Sequence, residues 1–361
     1  MNKRKICVVI TARPSYARIK TVLVAMINNP KIELQIILAG SALLGKYGNI
    51  EEVLKKDGFK VSKKIYYVLE AEVPSIIPKT TGIAIIELST AFQSLDPDIV
   101  VNIADRFETI ATSIAASYQN ITLAHIQGGE VTGNIDEKVR HANTKLADIH
   151  LVSSEDSRKR VIKMGEKDSR VINMGCPSID IAREVLENPE INFNPLKKYG
   201  GVGKNIEWQS GYLVVLQHSV TTEFMKSREQ MTITLQVIKD LGMPTFWLWP
   251  NLDIGTDEAS KAIRLFREKY SLSNIHFFKN LEPQDFLKLI KNSKCLIGNS
   301  SVGIRESAFL GVPVVNIGTR QNRRLRGKNV IDCDYKKDEI MNAIKKQLSG
   351  NHYETEYIYG D

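Results

Sequence analysis

The sequence predicts an α/β protein made of two doubly wound domains facing a cleft. Three observations carry this. Short apolar runs alternate with amphipathic helical stretches from end to end, 361 residues exceed what one ordinary core organises, and an Asn/Pro/Gly-rich stretch separates the halves. In the first half, strands are expected at 6–10, 34–38, 99–103, 122–126, 150–152 and 171–174, with helices such as 16–26 and 109–116 between them. In the second half they are expected at 212–217, 245–249, 275–278, 294–297 and 312–317. A helix over 222–241 is bounded by Gly242 and Pro244, which make a helix stop. Residues 188–210, containing ENPEINFNPLKKYGGVGKN, read as a linker or exposed loop. The boundary is therefore placed between a domain of residues 1–187 and a linker plus second domain of residues 188–361. The last helix is a candidate to pack back on the first domain.

Composition restricts the partners. Hydrophobic residues make up 43% and charged residues 25% of the chain, as in a soluble globular protein. No apolar run reaches membrane-spanning length, and MNKRKICVVI runs into a strand pattern rather than a signal-peptide cleavage site. A cytoplasmic protein with no membrane partner is expected. Cys7, Cys176, Cys295 and Cys333 are scattered through apolar runs, which fits reduced core residues better than disulfides or zinc ligands. The net charge of +8 and pI near 9.1 favour anionic partners. The one dense basic cluster, RQNRRLRGK from Arg320 to Lys328, lacks the interleaved aromatics of a single-strand platform. A small anionic ligand is preferred over nucleic acid.

The polar residues that follow the strands carry the chemistry, because open parallel sheets bind ligands beyond their carboxyl ends. TARPSYAR supplies Arg13, ADRFE supplies Asp105 and Arg106, and QGGEVTGNIDEKVRH supplies Gln127, Glu130, Asp136, Glu137, Arg140 and His141. Each carboxylate alone reads as a helix cap or a solvated charge, and Asp136 fits a helix cap well. As a group on one rim they suit proton transfer. In the second half, Gln217 and His218 follow one strand, Asn251 and Asp253 the next, and Ser300 and Ser301 another. The stretch GNSSVGIRESAFLGVPVVNIGTR over 298–320 suggests a helix capped by Ser300 or Ser301 and running to Leu310, whose N-terminus attracts phosphate. Arg320 offers a second, bidentate anion contact. There is no GxGxxG after the first strand, no P-loop, no HExxH and no GxSxG elbow, so no nicotinamide, flavin or metal cofactor is expected.

Together these motifs resemble the UDP-N-acetylglucosamine 2-epimerases. The likeness is strongest to the hydrolysing branch that feeds sialic acid synthesis, including the epimerase domain of the bifunctional animal epimerase/N-acetylmannosamine kinase. It rests on DRFE, HIQGGEVTGNIDEKVRHANTKLA, GCPSID, LQHSVTTE, WPNLDIGT and GNSSVGIRES with GTRQ, and runs over nearly the whole chain. The resemblance implies a glycosyltransferase-B-like fold and conversion of UDP-N-acetylglucosamine and water to N-acetylmannosamine and UDP, through a 2-acetamidoglucal and without cofactor or metal. By motif position it implies catalytic roles for Asp105 and Asp136. It places His218 and Arg320 on the diphosphate, Ser300 and Ser301 on phosphate, Glu306 on the ribose, and Arg13 and Asn251 on the ligand. Relatives often form homodimers or homotetramers, which the resemblance extends to this chain. Two departures stand out: Gln127 lies where many relatives carry glutamate, and Ala42 where animal relatives carry histidine. Glutamine cannot exchange a proton, so either Glu130 takes over that role, or the Gln127 position serves binding, or the substrate differs; Arg106, Glu137 and Arg140 are further candidate sugar contacts. The rival readings are a hydrolysing 2-epimerase of UDP-2,4-diacetamido-2,4,6-trideoxyglucose, a glycosyltransferase, and a non-catalytic nucleotide-sugar sensor.

Overall fold

A computed structural model describes residues 3–45, 50–69, 73–103, 105–250, 254–270, 274–350 and 352–361. The chain divides into two compact units, one of residues 1–130, 135–178 and 360, the other of residues 131–134, 179–359 and 361. Each is an α/β unit built on one seven-stranded sheet, the glycosyltransferase-B-like class that the resemblance implies.

In the first unit, β1 (Arg4–Ile10), β2 (Ile32–Ala39), β3 (Lys63–Ile65), β4 (Ile99–Ile103), β5 (Thr122–Ile126), β6 (Ile149–Val152) and β7 (Val171–Asn173) are all parallel, in the order β3-β2-β1-β4-β5-β6-β7. Among the described residues its α-helices are α1 (Arg13–Ile27), α2 (Ile50–Lys56), α3 (Ile76–Leu95), α4 (Thr109–Tyr118), α5 (Ile135–Leu146) and α6 (Glu155–Lys163). The alternation of strand side chains explains the double layer. Cys7 and Val9 enter a core with Leu88 and Phe92 of α3 and Ala115 of α4. Val8 and Ile10, which alternate with them along the strand, enter a separate core with Ile19 and Leu23 of α1. Both faces of the sheet are thereby covered, and each fully buried Leu, Ile or Phe contributes about 1.5–3 kcal/mol.

The second unit places β8 (Val202–Gly203), β9 (Leu213–Leu216), β10 (Thr245–Leu248), β11 (Ile275–Phe278), β12 (Cys295–Gly298), β13 (Val314–Ile317) and β14 (Val330–Cys333) in the order β14-β13-β12-β9-β10-β11-β8. Among the described strands only the short β8 runs antiparallel. Its helices are α7 (Ser178–Glu187), α8 (Pro195–Tyr199), α9 (Ser227–Leu241), α10 (Thr256–Lys269), α11 (Pro283–Lys291), α12 (Glu306–Leu310) and α13 (Lys337–Leu348). Leu213, Val215, Trp247, Phe277, Ile297 and Val315 form its core with α9, α10 and α13. The helix stop at Gly242 is present, with a left-handed φ of 72°. The stretch before α9 differs from the expected continuous helix: residues Thr221–Lys226 form a 3-10 segment with non-helical Glu223. The strands β3, β8 and β14 lay outside the sequence reading. Two of them are three residues or fewer, and all three stand at or near a sheet edge, where alternation is too short or too polar to register.

Three of the four free cysteines are buried, and Cys333 is partly so. Burial pushes the Cys7 thiol up to about 12, which makes it an inert core residue. No described helix is long and apolar enough to cross a membrane.

Candidate active site

In each sheet the strand order reverses once, and ligands of such sheets gather at that switch point. In the first sheet the reversal lies between β1 and β4. Arg13 opens α1 just beyond β1, and Asp105 and Arg106 follow β4. Gln127 and Glu130 follow β5, the neighbour of β4.

Arg140 organises this rim. It sits on α5, is 1% exposed, pairs through Nη2 with the Asp105 carboxylate, and donates through Nη1 to the Glu130 carbonyl at 2.6 Å. Burial opposes its charge, but Asp105, Glu130 and Asp136 outweigh that and hold the guanidinium above its ordinary value. The Glu130 carboxylate is itself buried and accepts from Ser153 Oγ at 3.0 Å. Asp136 lies in the first turn of α5, inside the helix rather than at the expected cap position, and one turn before Arg140. Three acidic residues thus surround one buried cation. Sequence reading placed Arg140 only among general sugar contacts; the signal for its larger role was the i, i+4 spacing of Asp136 and Arg140 on one helix face.

The other candidates on this rim have distinct partners. Glu137 pairs with His141 at 3.9 Å, while burial and then Arg140 push that imidazole down from its ordinary value. Arg106 donates to Glu108 at 3.0 Å, and Glu108 is buried. Gln127 is 2% exposed and adopts a left-handed φ of 66°, an uncommon conformation for a non-glycine residue that concentrates at functional sites. Its amide donates to Cys176 Sγ at 2.9 Å, and its Oε1 is a buried acceptor without a protein partner.

In the second sheet the reversal lies between β9 and β12. Gln217, His218 and Ser219 follow β9, and Asn299, Ser300 and Ser301 follow β12. The two strand ends approach so closely that a Cβ on Gly298 would lie 2.1 Å from the Leu216 carbonyl oxygen, at a φ of 135°. Gly298→Ala is therefore expected to cost at least about 2 kcal/mol, measured by chemical denaturation; an unchanged stability would show that the approach relaxes freely.

The expected helix from Ser300 or Ser301 to Leu310 is not continuous. Ser301–Gly303 form a 3-10 turn, α12 begins only at Glu306, and neither the side chain of Ser300 at the turn's start nor that of Arg305 before α12 caps the helix that follows. Arg305, at φ −93° and ψ −72°, separates the two pieces. A five-residue helix contributes little macrodipole, so the expected attraction of a long helix start for phosphate is not built here. Ser300 and Ser301 are part-exposed at this turn. Arg320 donates to the Asn299 carbonyl at 3.3 Å, which brings it beside the same turn. Glu306 is 8% exposed, and its Oε2 is a buried polar atom without a protein partner, as are Gln217 Oε1 and Ser219 Oγ. Buried polar atoms of this kind are satisfied by water or ligand. Gln217 was read on this rim without a role, and Ser219 was passed over because alone it is an ordinary polar residue after a strand. Asn251 and Asp253 lie outside the described residues.

The basic cluster is partly structural. Arg326 pairs with Asp332, Arg324 is 5% exposed and bonds Gln321, and Tyr359 donates to the Leu325 carbonyl at 2.6 Å. An open depression of about 670 Å³ beside this loop is lined by Asn322, Arg323, Arg326, Asp332 and Glu339 among others, and shares no residue with the candidate set.

The family model described as UDP-N-acetylglucosamine 2-epimerase matches residues 24–361. The chain belongs to the UDP-N-acetylglucosamine 2-epimerase family. Within that family it is 32% identical over 358 residues to a UDP-N,N'-diacetylbacillosamine 2-epimerase (hydrolyzing) of Legionella pneumophila, covering 99% of this chain and 92% of the relative. It is 29% identical to a UDP-N-acetylglucosamine 2-epimerase of Neisseria meningitidis, covering 98% and 90%. Among solved epimerases, the Neisseria meningitidis enzyme bound to UDP-GlcNAc superposes with a TM-score of 0.79 at 18% identity, covering 99% of this chain and 96% of that one. That likeness establishes the shared fold.

Proposed function

We propose that this epimerase is of the hydrolysing type and converts UDP-N-acetylglucosamine and water to N-acetylmannosamine and UDP, a reaction that supplies sialic acid-type synthesis. The observation that carries the reading is the gathering of Asp105, Glu130 and Asp136 about Arg140. A glycosyl transfer would use the nucleotide contacts but has no need of this acidic group. In the proposed sequence a carboxylate of the group, with Asp105 the first candidate, takes the C2 proton. The C1–O bond to UDP breaks as the C1–C2 double bond forms, and its electron pair leaves on the β-phosphate oxygen. Water then adds to the 2-acetamidoglucal, hydroxide at C1 and a proton at C2 on the face opposite the one first deprotonated. Glu130 and Asp136 are the candidates for that second proton transfer. His218 and Arg320 counter the charge developing on the leaving diphosphate, with Ser300 and Ser301 as further phosphate contacts. The orphaned Glu306 carboxylate oxygen suits the ribose hydroxyls. Arg13 is assigned to the ligand, and Gln127, bonded to Cys176, binds rather than exchanges protons. The enzyme is proposed to act in the cytoplasm, as a homodimer or homotetramer and without cofactor or metal.

A second reading, the same reaction on UDP-2,4-diacetamido-2,4,6-trideoxyglucose, is favoured by the name of the 32% identical relative. Both sugars carry the C2 acetamido group that the chemistry needs. Steady-state UDP release from each substrate decides between them: the first reading predicts the larger kcat/KM with UDP-N-acetylglucosamine, and a preference of tenfold or more for the diacetamido sugar overturns it. Arg320→Ala is expected to weaken UDP binding by about tenfold, read by calorimetric titration; a kcat defect with unchanged UDP affinity would instead assign Arg320 to leaving-group chemistry alone.

A further inference from the structure

We propose that Asn299 is a positioning residue that sets the His218 backbone and, through its own carbonyl, the Arg320 side chain. This rests on the assignment of His218 and Arg320 to the diphosphate. Asn299 is fully buried and turns both ends of its side-chain amide to the backbone of one residue. Its Oδ1 accepts from the His218 N–H at 2.7 Å, and its Nδ2 donates to the His218 carbonyl at 2.8 Å. This two-point grip on a single residue fixes a backbone more firmly than either bond alone, as paired recognition does elsewhere. Asn299 Nδ2 also reaches Tyr335 Oη at 3.2 Å, and Tyr335 packs where a Cβ on Gly318 would lie, 2.3 Å from its ring. The Asn299 backbone carries the rest. Its N–H donates to the Leu216 carbonyl at 3.2 Å, while its carbonyl accepts from Arg320 Nη1 at 3.3 Å and Gln321 Nε2 at 3.0 Å.

The placement gives these bonds a purpose. His218 follows β9 and Asn299 follows β12, the two strands between which the sheet order reverses. The register between β9 and β12 ends at Leu216 and Gly298, so the segments that follow lie beyond the ladder. Asn299 extends that register from one side chain, and it ties in the 319–321 segment that brings Arg320 to the same turn. Aspartate cannot replace it: the second oxygen would face the His218 carbonyl, an acceptor against an acceptor.

The test is a double-mutant cycle read by kcat/KM and by calorimetric UDP binding, using Asn299→Ala, Asn299→Asp, His218→Ala, and each Asn299 variant combined with His218→Ala. Asn299→Ala is expected to lower kcat/KM by about tenfold or more, and the same substitution is expected to cost little further once His218 is alanine. Asn299→Asp, nearly isosteric, keeps the measurement available if the alanine variant does not fold; it is expected to lose activity at neutral pH and recover part of it when the carboxyl is protonated and can donate to the His218 carbonyl. Losses that simply add in the cycle, with an aspartate variant whose pH profile matches the parent, would overturn the positioning role. Wild-type UDP affinity and kcat/KM in His218→Ala and Arg320→Ala would instead remove the diphosphate assignment itself, which is a separate outcome.

Discussion

Asp105→Asn is expected to lower kcat by about 10²- to 10⁴-fold, the range that a positioned proton-transfer group supplies, while UDP affinity stays within about threefold of the parent. The substitution keeps the shape of the side chain and an oxygen that can accept from Arg140 Nη2, so the loss isolates the charge and the basicity of the carboxylate. UDP makes no demand on a residue assigned to the sugar, which is why the two readouts separate. Rapid-quench kinetics with saturating substrate measures the first and calorimetric titration the second. Loss of UDP affinity in step with kcat would mean that Asp105 holds the fold of its rim and does not act on substrate.

Arg140→Met is expected to be the most destabilising change on the same rim, by about 3–5 kcal/mol. The guanidinium is 1% exposed, and its removal takes a buried cation from the Asp105 carboxylate and a donor from the Glu130 carbonyl. Burial of a paired charge is costly, but breaking the pair from one side is costlier still. The double variant Asp105→Asn/Arg140→Met is expected to recover part of the loss, because the abandoned partner is then uncharged. Urea denaturation of the three variants measures this. A cost below about 1 kcal/mol for Arg140→Met would place the pair in the class of solvent-screened surface bridges.

The strands β1, β4, β5, β9 and β12 were legible because each is a short apolar run bounded by polar or glycine residues. The polar residues beyond them then fall on the carboxyl edges by topology alone. The clustering of Asp105, Glu130 and Asp136 was legible only as a shared rim, since their meeting point depends on Arg140 reaching across from α5. The turn after β12 differs from the capped helix expected there. Ser300, Ser301 and the apolar residues after them satisfy a helical pattern, and nothing in that pattern announces the break at Arg305. Asn299 gave no signal, because a buried asparagine that serves backbone atoms of a residue 81 positions away has no local sequence mark.

The central claim, that the acidic group about Arg140 exchanges a proton at C2 as UDP departs, is tested most directly by turnover in deuterated water followed by NMR of the free sugar. The account predicts N-acetylmannosamine carrying one deuterium at C2, released together with UDP. Free N-acetylglucosamine with its C2 hydrogen intact would contradict it and reassign the chain's chemistry to plain hydrolysis.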